Sequence, residues 1–132
     1  MYRSTGVLRY QNGWLVVDAD DRSLTHYYRK LIPEYVDVQP PKYPGHITVI
    51  RPEYETPINA KFWGKYQGQS LIFHYLPLIY FGEFYCWLNC FSKDLEDIRE
   101  ELGLCVEDEY TIPPKGFRKC FHMTVGNFKH QV

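Results

Sequence analysis

Two four-residue strings, HITV at residues 46–49 and HMTV at residues 122–125, constrain this chain more than any other feature. Each string places a His and a Thr two positions apart in an alternating run of apolar and polar residues. In an extended strand, the His and Thr side chains leave one face while their apolar neighbours point to the other. Each string also follows a Pro-Pro-Lys sequence, at residues 40–42 and 113–115. The sequence therefore predicts a duplicated unit in which a loop leads into a half-buried strand that begins with His.

The remaining strands are predicted from alternation and from β-branched or aromatic content. Asn12 and Gly13 predict a hairpin turn between the first two strands. The last predicted strand carries the second His/Thr pair. Together the predicted strands cover residues 5–10, 14–18, 46–51, 71–80, 84–91 and 121–128.

Helices are predicted where apolar residues recur at helical spacing. A first helix is expected over residues 21–32, with Asp18 or Asp20 as its cap, and a second is expected to begin after Ser92. A short helix is also compatible with residues 59–66. The predicted order is two strands, a helix and a His/Thr strand, and this order occurs twice.

This repeated order predicts an α+β fold. A chain of 132 residues suits one domain, over residues 1–132, with half-repeats of roughly 1–69 and 70–132. We expect a bilobal molecule in which two antiparallel sheets, each with one helix, are related by a pseudo-twofold axis. That symmetry would place His46 and His122 on opposite sides of one cleft.

The charge of the chain limits its partners. A formal net charge of −1 argues against binding of long duplex nucleic acid, which requires a broad basic surface. Residues 110–132 nevertheless contain Lys and Arg but no acidic residue, and they surround the second His/Thr pair. A small anionic ligand is therefore compatible with the sequence.

The cysteines and the hydropathy pattern indicate a cytoplasmic protein, and we expect it to be a monomer. The four cysteines form no CxxC pair, so free thiols are expected, with a zinc site as the alternative. We find no N-terminal export segment and no apolar run of the ~20 residues that a membrane helix needs. No metal or other cofactor and no membrane contact are expected.

Two imidazoles facing each other can perform acid–base chemistry at phosphorus. In-line displacement needs a base at the entering oxygen and an acid at the leaving oxygen, and His can serve as either near neutral pH. Thr48 and Thr124, on the same strand faces as His46 and His122, can donate hydrogen bonds to the nonbridging oxygens. The chain contains no phosphate-binding P-loop.

Two HxT motifs at the ends of two half-repeats resemble the two-histidine (2H) phosphoesterase superfamily. This resemblance implies a bilobal α+β fold and a metal-independent phosphodiesterase activity. It also implies that His46 and His122 transfer protons and that Thr48 and Thr124 bind phosphate. In length the chain is most similar to small viral members, including phage anti-CBASS nucleases that degrade cyclic oligonucleotide messengers, which would place it in a host cell cytoplasm.

Several aromatic and basic residues are candidate substrate contacts. Aromatic side chains beside the predicted cleft can stack on a base, and basic side chains just before the His/Thr strands can attract phosphates. The candidates are Tyr10, Trp14, Trp63 and Phe121 for stacking, and Lys42, Lys115, Arg118 and Lys119 for phosphates. His26, His74 and His130 lack a Ser or Thr two positions later and are interpreted as structural or solvated.

Three functions remain open from the sequence. The first is hydrolysis of small nucleotides or oligonucleotides, with cyclic immune messengers as the expected substrates. The second is processing of RNA ends that carry a 2′,3′-cyclic phosphate. The third is a non-catalytic module that binds a nucleotide in the same cleft. Two His/Thr pairs favour catalysis, because a binding module has no need of an acid–base pair.

Overall fold

A computed structural model describes residues 1–108 and 110–128. Six strands and two α-helices occur in the predicted order, together with one turn of 3-10 helix at Ala60–Phe62. The strands are β1 (Tyr2–Gln11), β2 (Trp14–Ala19), β3 (His46–Ile50), β4 (Ser70–Phe81), β5 (Tyr85–Phe91) and β6 (Phe121–Asn127). The helices are α1 (Ser23–Lys30) and α2 (Lys93–Glu101).

The strands form one closed antiparallel barrel in the order β1-β2-β3-β6-β5-β4. The expected bilobal α+β fold with two sheets is therefore wrong. Each half-repeat contributes three neighbouring strands, but β1 pairs with β4 from Tyr2–Tyr75 to Val7–Ser70, and β3 meets β6 at Ile47–Met123. The edge strands of each half thus form backbone hydrogen bonds with the edge strands of the other half.

One face of the strands packs into a single hydrophobic core. Buried side chains of all six strands join Leu24 and Tyr28 of α1 and Leu95 and Ile98 of α2 in one cluster. The alternation predicted for the HITV and HMTV strings is confirmed. The apolar residues of these strings are all buried, namely Ile47, Val49, Met123 and Val125. Their His and Thr residues therefore lie on the face away from the core.

The local signals at the hairpin and at α2 are confirmed. Asn12 and Gly13 both have positive φ, of 50° and 83°, as a tight turn with the twist of a hairpin requires. Ser92 caps α2, where its hydroxyl accepts the backbone N–H of Leu95 at 3.3 Å.

The predicted cap of α1 is wrong. Arg22 occupies the N-cap position and makes no capping hydrogen bond through its side chain. Asp18 instead accepts hydrogen bonds from Arg9, and Asp20 accepts one from Thr5. Within the described residues, no helix has the length and apolar character needed to cross a membrane.

Candidate active site

The two His/Thr strands are neighbours in the barrel. The Ile47–Met123 pair fixes their antiparallel register. Continuing this register places His46 opposite Thr124 and Thr48 opposite His122, on the face away from the core. Antiparallel geometry gives diagonal neighbours such as His46 and His122 a Cα separation of about 7–8 Å. The fold thus brings both predicted pairs to one place.

All four residues line a cleft of about 1130 Å³. This volume lies slightly above the range of about 300–1,000 Å³ that is usual for small-ligand sites. The floor consists of strand residues, and two loops, around residues 41–43 and 51–55, contribute to the walls. The lining is positively charged, with one acidic side chain, Glu55, against Arg9, Lys42, Arg51, Arg99 and Lys119.

His46 lies between a carboxylate and an aromatic ring. Its Nδ1 is 4.0 Å from Oδ1 of Asp18, and its ring centroid is 5.4 Å from that of Tyr43. Burial lowers the pKa of His46, because desolvation disfavours the imidazolium form. The negative charge of Asp18 opposes this effect, whereas Arg9, together with Arg22 and Arg51, adds to it.

His122 lies against an indole ring. Trp87 stacks on it, with ring centroids 4.9 Å apart and an interplanar angle of 28°, while the indole N–H of Trp87 donates to Asn89 at 3.0 Å. One side of the imidazole is therefore covered, and His122 remains exposed towards the cleft. Desolvation by the surrounding protein lowers the pKa of His122, an effect that Asp108 opposes and Lys119 reinforces.

Helix α2 holds two parts of the site in place. Arg99 is buried, and its guanidinium donates to Glu55 at 2.8 Å and to the carbonyl oxygen of Val49 in β3 at 3.0 Å. Glu96, also buried, accepts the backbone N–H groups of Arg118 at 2.8 Å and Lys119 at 3.1 Å. These interactions fix the loop after β3 and the segment that leads into β6.

Four of the eight predicted substrate contacts lie in the cleft. Trp14, Lys42 and Phe121 line it, as does Lys119. Tyr10 and Trp63 instead form an edge-to-face pair, with centroids 4.9 Å apart, that packs against the hydrophobic core. Lys115 is exposed, and it and Arg118 are not among the residues that line the cleft. His130 lies outside the described residues.

Sequence reasoning missed several cleft residues. The guanidinium of Arg51 lies 5.1 Å from the ring centre of Trp14 and 5.5 Å from that of Tyr54. Trp87 was missed because its contact with His122 is made between β5 and β6. Tyr43 and Arg51 could have been predicted from the sequence, because both lie within three residues of an end of the predicted strand 46–51, which carries a His/Thr pair.

Over residues 1–108 and 110–128, no three His, Cys, Asp or Glu side chains are grouped as a metal site, and all four cysteines are free.

No family model, no curated protein and no solved structure matches this chain. The resemblance to the 2H phosphoesterases therefore rests on the two HxT motifs alone.

Proposed function

We propose that this protein is a phosphodiesterase of the two-histidine type that acts on small nucleotides or oligonucleotides. The observation that carries the proposal is the convergence of His46, Thr48, His122 and Thr124 on one cleft, although 73 residues separate the end of one motif from the start of the other. One imidazole removes a proton from the attacking oxygen, and the other donates a proton to the leaving oxygen. The two hydroxyls hydrogen-bond the nonbridging oxygens as charge develops on them.

The lining of the cleft supports a nucleotide as the substrate. Its basic side chains suit phosphate groups. The ring of Trp14, with the guanidinium of Arg51 and the ring of Tyr54, offers a flat surface for a base, and such stacking contributes about 1–3 kcal/mol per base. A volume of about 1130 Å³ leaves room for more than one nucleotide, which favours cyclic or short linear oligonucleotides.

A panel of substrates tests this proposal. The purified protein would be incubated, with EDTA present, with cyclic dinucleotides, cyclic trinucleotides, 2′-5′-linked oligoadenylate and RNA that ends in a 2′,3′-cyclic phosphate. We expect cleavage of at least one of these in the presence of EDTA. His46→Ala and His122→Ala should abolish turnover, whereas His26→Ala, on the exposed surface of α1, is the matched control.

Each outcome of the panel has a defined meaning. Cleavage of cyclic oligonucleotides supports a protein that destroys signalling nucleotides in the cytoplasm, and cleavage of the RNA alone supports RNA-end processing. Binding without cleavage by the wild-type protein would identify a nucleotide-binding module. Loss of activity in EDTA that magnesium or manganese restores would reject the two-histidine mechanism.

A further inference from the structure

The two histidines have different neighbours across their strands. Asp18 of β2 is the register partner of His46, and Asn89 of β5 is the register partner of His122. Because β2 and β5 are the second strands of the two half-repeats, these neighbours occupy equivalent positions. A carboxylate thus accompanies one histidine, and a neutral amide accompanies the other.

The carboxylate of Asp18 is ionised and held in place. Arg9 donates to its two oxygens through Nε at 2.7 Å and Nη2 at 3.2 Å, and these hydrogen bonds lower the pKa of Asp18. Nδ1 of His46 is buried and has no hydrogen-bond partner among the described residues, and Oδ1 of Asp18 lies 4.0 Å from it. Hydrogen bonds to catalytic groups are often long without substrate and shorten in the complex.

We propose, on the basis of the proposed function, that Asp18 is a positioning residue that makes His46 the better proton donor of the two, so that His46 is the general acid and His122 the general base. The carboxylate orients Nδ1 of His46 towards itself and leaves Nε2 to protonate the leaving oxygen. Asn89 carries no charge and gives His122 no comparable support, which suits a histidine that begins the reaction neutral.

The proton balance of the reaction is simple. The imidazole of His122 accepts the proton of the attacking hydroxyl or water as the new P–O bond forms. The bond to the leaving oxygen breaks, and this oxygen takes the proton from Nε2 of His46. The step ends with His122 protonated and His46 neutral, and exchange with water restores the starting state.

Other charged groups also act on the two histidines. Arg9, Arg22 and Arg51 also act on His46, but the effect of Asp18 exceeds that of each of them. Asp108 and Lys119 act on His122 with opposite signs. The carboxylate of Asp108 accepts the backbone N–H groups of Tyr110, Thr111 and Cys120. Each histidine thus has one carboxylate that raises its pKa, and Asp18 differs from Asp108 in being a register partner of its histidine, with an oxygen 4.0 Å from Nδ1.

Two uridine 3′-phosphodiesters that differ only in the leaving group test the assignment. One releases a nucleoside 5′-hydroxyl, which needs a general acid, and the other releases p-nitrophenolate, which does not. Asp18→Asn and His46→Gln should lower kcat/KM for the first ester by at least about tenfold and change the second much less. His122→Gln should impair both. Asp20→Asn is the matched control, because it makes the same replacement at an exposed position two residues away from Asp18.

Nuclear magnetic resonance provides a readout that is independent of turnover. A titration of the His46 ring should give a lower pKa in Asp18→Asn than in the wild-type protein, with no such change in Asp20→Asn. An unchanged His46 pKa, or equal losses on both esters in Asp18→Asn, would overturn the proposal, as would rescue of His122→Gln by the p-nitrophenyl ester. If the wild-type protein cleaves neither ester nor any member of the substrate panel, the proposed function fails, and the titration alone decides whether Asp18 raises the pKa of His46.

Discussion

Thr48 and Thr124 are half-buried at the cleft, each opposite the histidine of the neighbouring strand. Thr48→Val and Thr124→Val keep the shape of the side chain and remove its hydroxyl. If these hydroxyls stabilise the transition state, each variant should show kcat lowered by about 10- to 10³-fold with KM changed less. Steady-state kinetics on the preferred substrate would measure this loss. A double Val variant with wild-type kcat would remove the threonines from the mechanism.

The two histidines should also make stability depend on pH. Desolvation by the surrounding protein lowers the pKa of His46 and His122, so the unfolded chain binds more protons than the folded protein as pH falls through about 6.5. The free energy of unfolding should therefore decrease on acidification from pH 7 to pH 5. Urea denaturation of the wild-type protein and of a His46→Gln/His122→Gln variant would show a weaker dependence in the variant. Equal slopes over this range would contradict the pKa directions.

The sequence predicts the role of a single residue only where the spacing of residues along the chain reveals it. A His and a Thr two positions apart in an alternating run identify a shared strand face without knowledge of the fold. Asp18 gives no such indication, and its place before the first helix suggests a helix cap instead, because its contacts with Arg9 and His46 are made across strands. Tyr10 and Trp63 were expected to contact substrate but pack on the core, since an aromatic residue near a turn suits either role.

At the scale of elements, local patterns predicted the strands, α2 and the hairpin turn well. Each of these depends on residues close together in sequence, such as the N-cap at Ser92 and the turn at Asn12 and Gly13. The role of α2 was not predicted. Its buried Glu96 and Arg99 hold segments around the cleft through contacts with distant residues, and a charged residue on a helix is more often solvated.

Glu96 offers a test of this role of α2. Glu96→Ala leaves the N–H groups of Arg118 and Lys119 without their acceptor and should lower the free energy of unfolding by about 1–3 kcal/mol. It should also lower kcat, because the segment that leads to His122 loses its anchor. Glu96→Gln, which keeps an acceptor oxygen, should lose less.

Asp97→Ala, at an exposed position of the same helix, is the control for Glu96. It should change the free energy of unfolding by less than about 0.5 kcal/mol. Urea denaturation and kinetics on the same preparations would compare the three variants. Equal stability and kcat in Glu96→Ala and Asp97→Ala would show that the buried carboxylate does not anchor the segment before β6.

For the molecule as a whole, the sequence predicted the order of the strands and helices but not the closure of the sheet into a barrel. The pairing of β1 with β4 joins residues about 70 positions apart, such as Tyr2 and Tyr75, and leaves no local pattern. Both three-strand units have alternating faces that suit a separate sheet as well as a shared barrel. The barrel is favoured because its edge strands gain backbone hydrogen bonds and because the two halves share one hydrophobic core. Both effects require the two halves to come together.

The closed barrel makes a prediction about the halves in isolation. A fragment of residues 1–69 would expose the edges of β1 and β3, and a fragment of residues 70–132 would expose those of β4 and β6; each would also lack half of the core. We expect each fragment to be unfolded alone by far-ultraviolet circular dichroism. An equimolar mixture should regain strand signal and nucleotide cleavage, because both edges then pair and His46 again meets His122. Native-like folding of either fragment alone would instead favour two independent sheets.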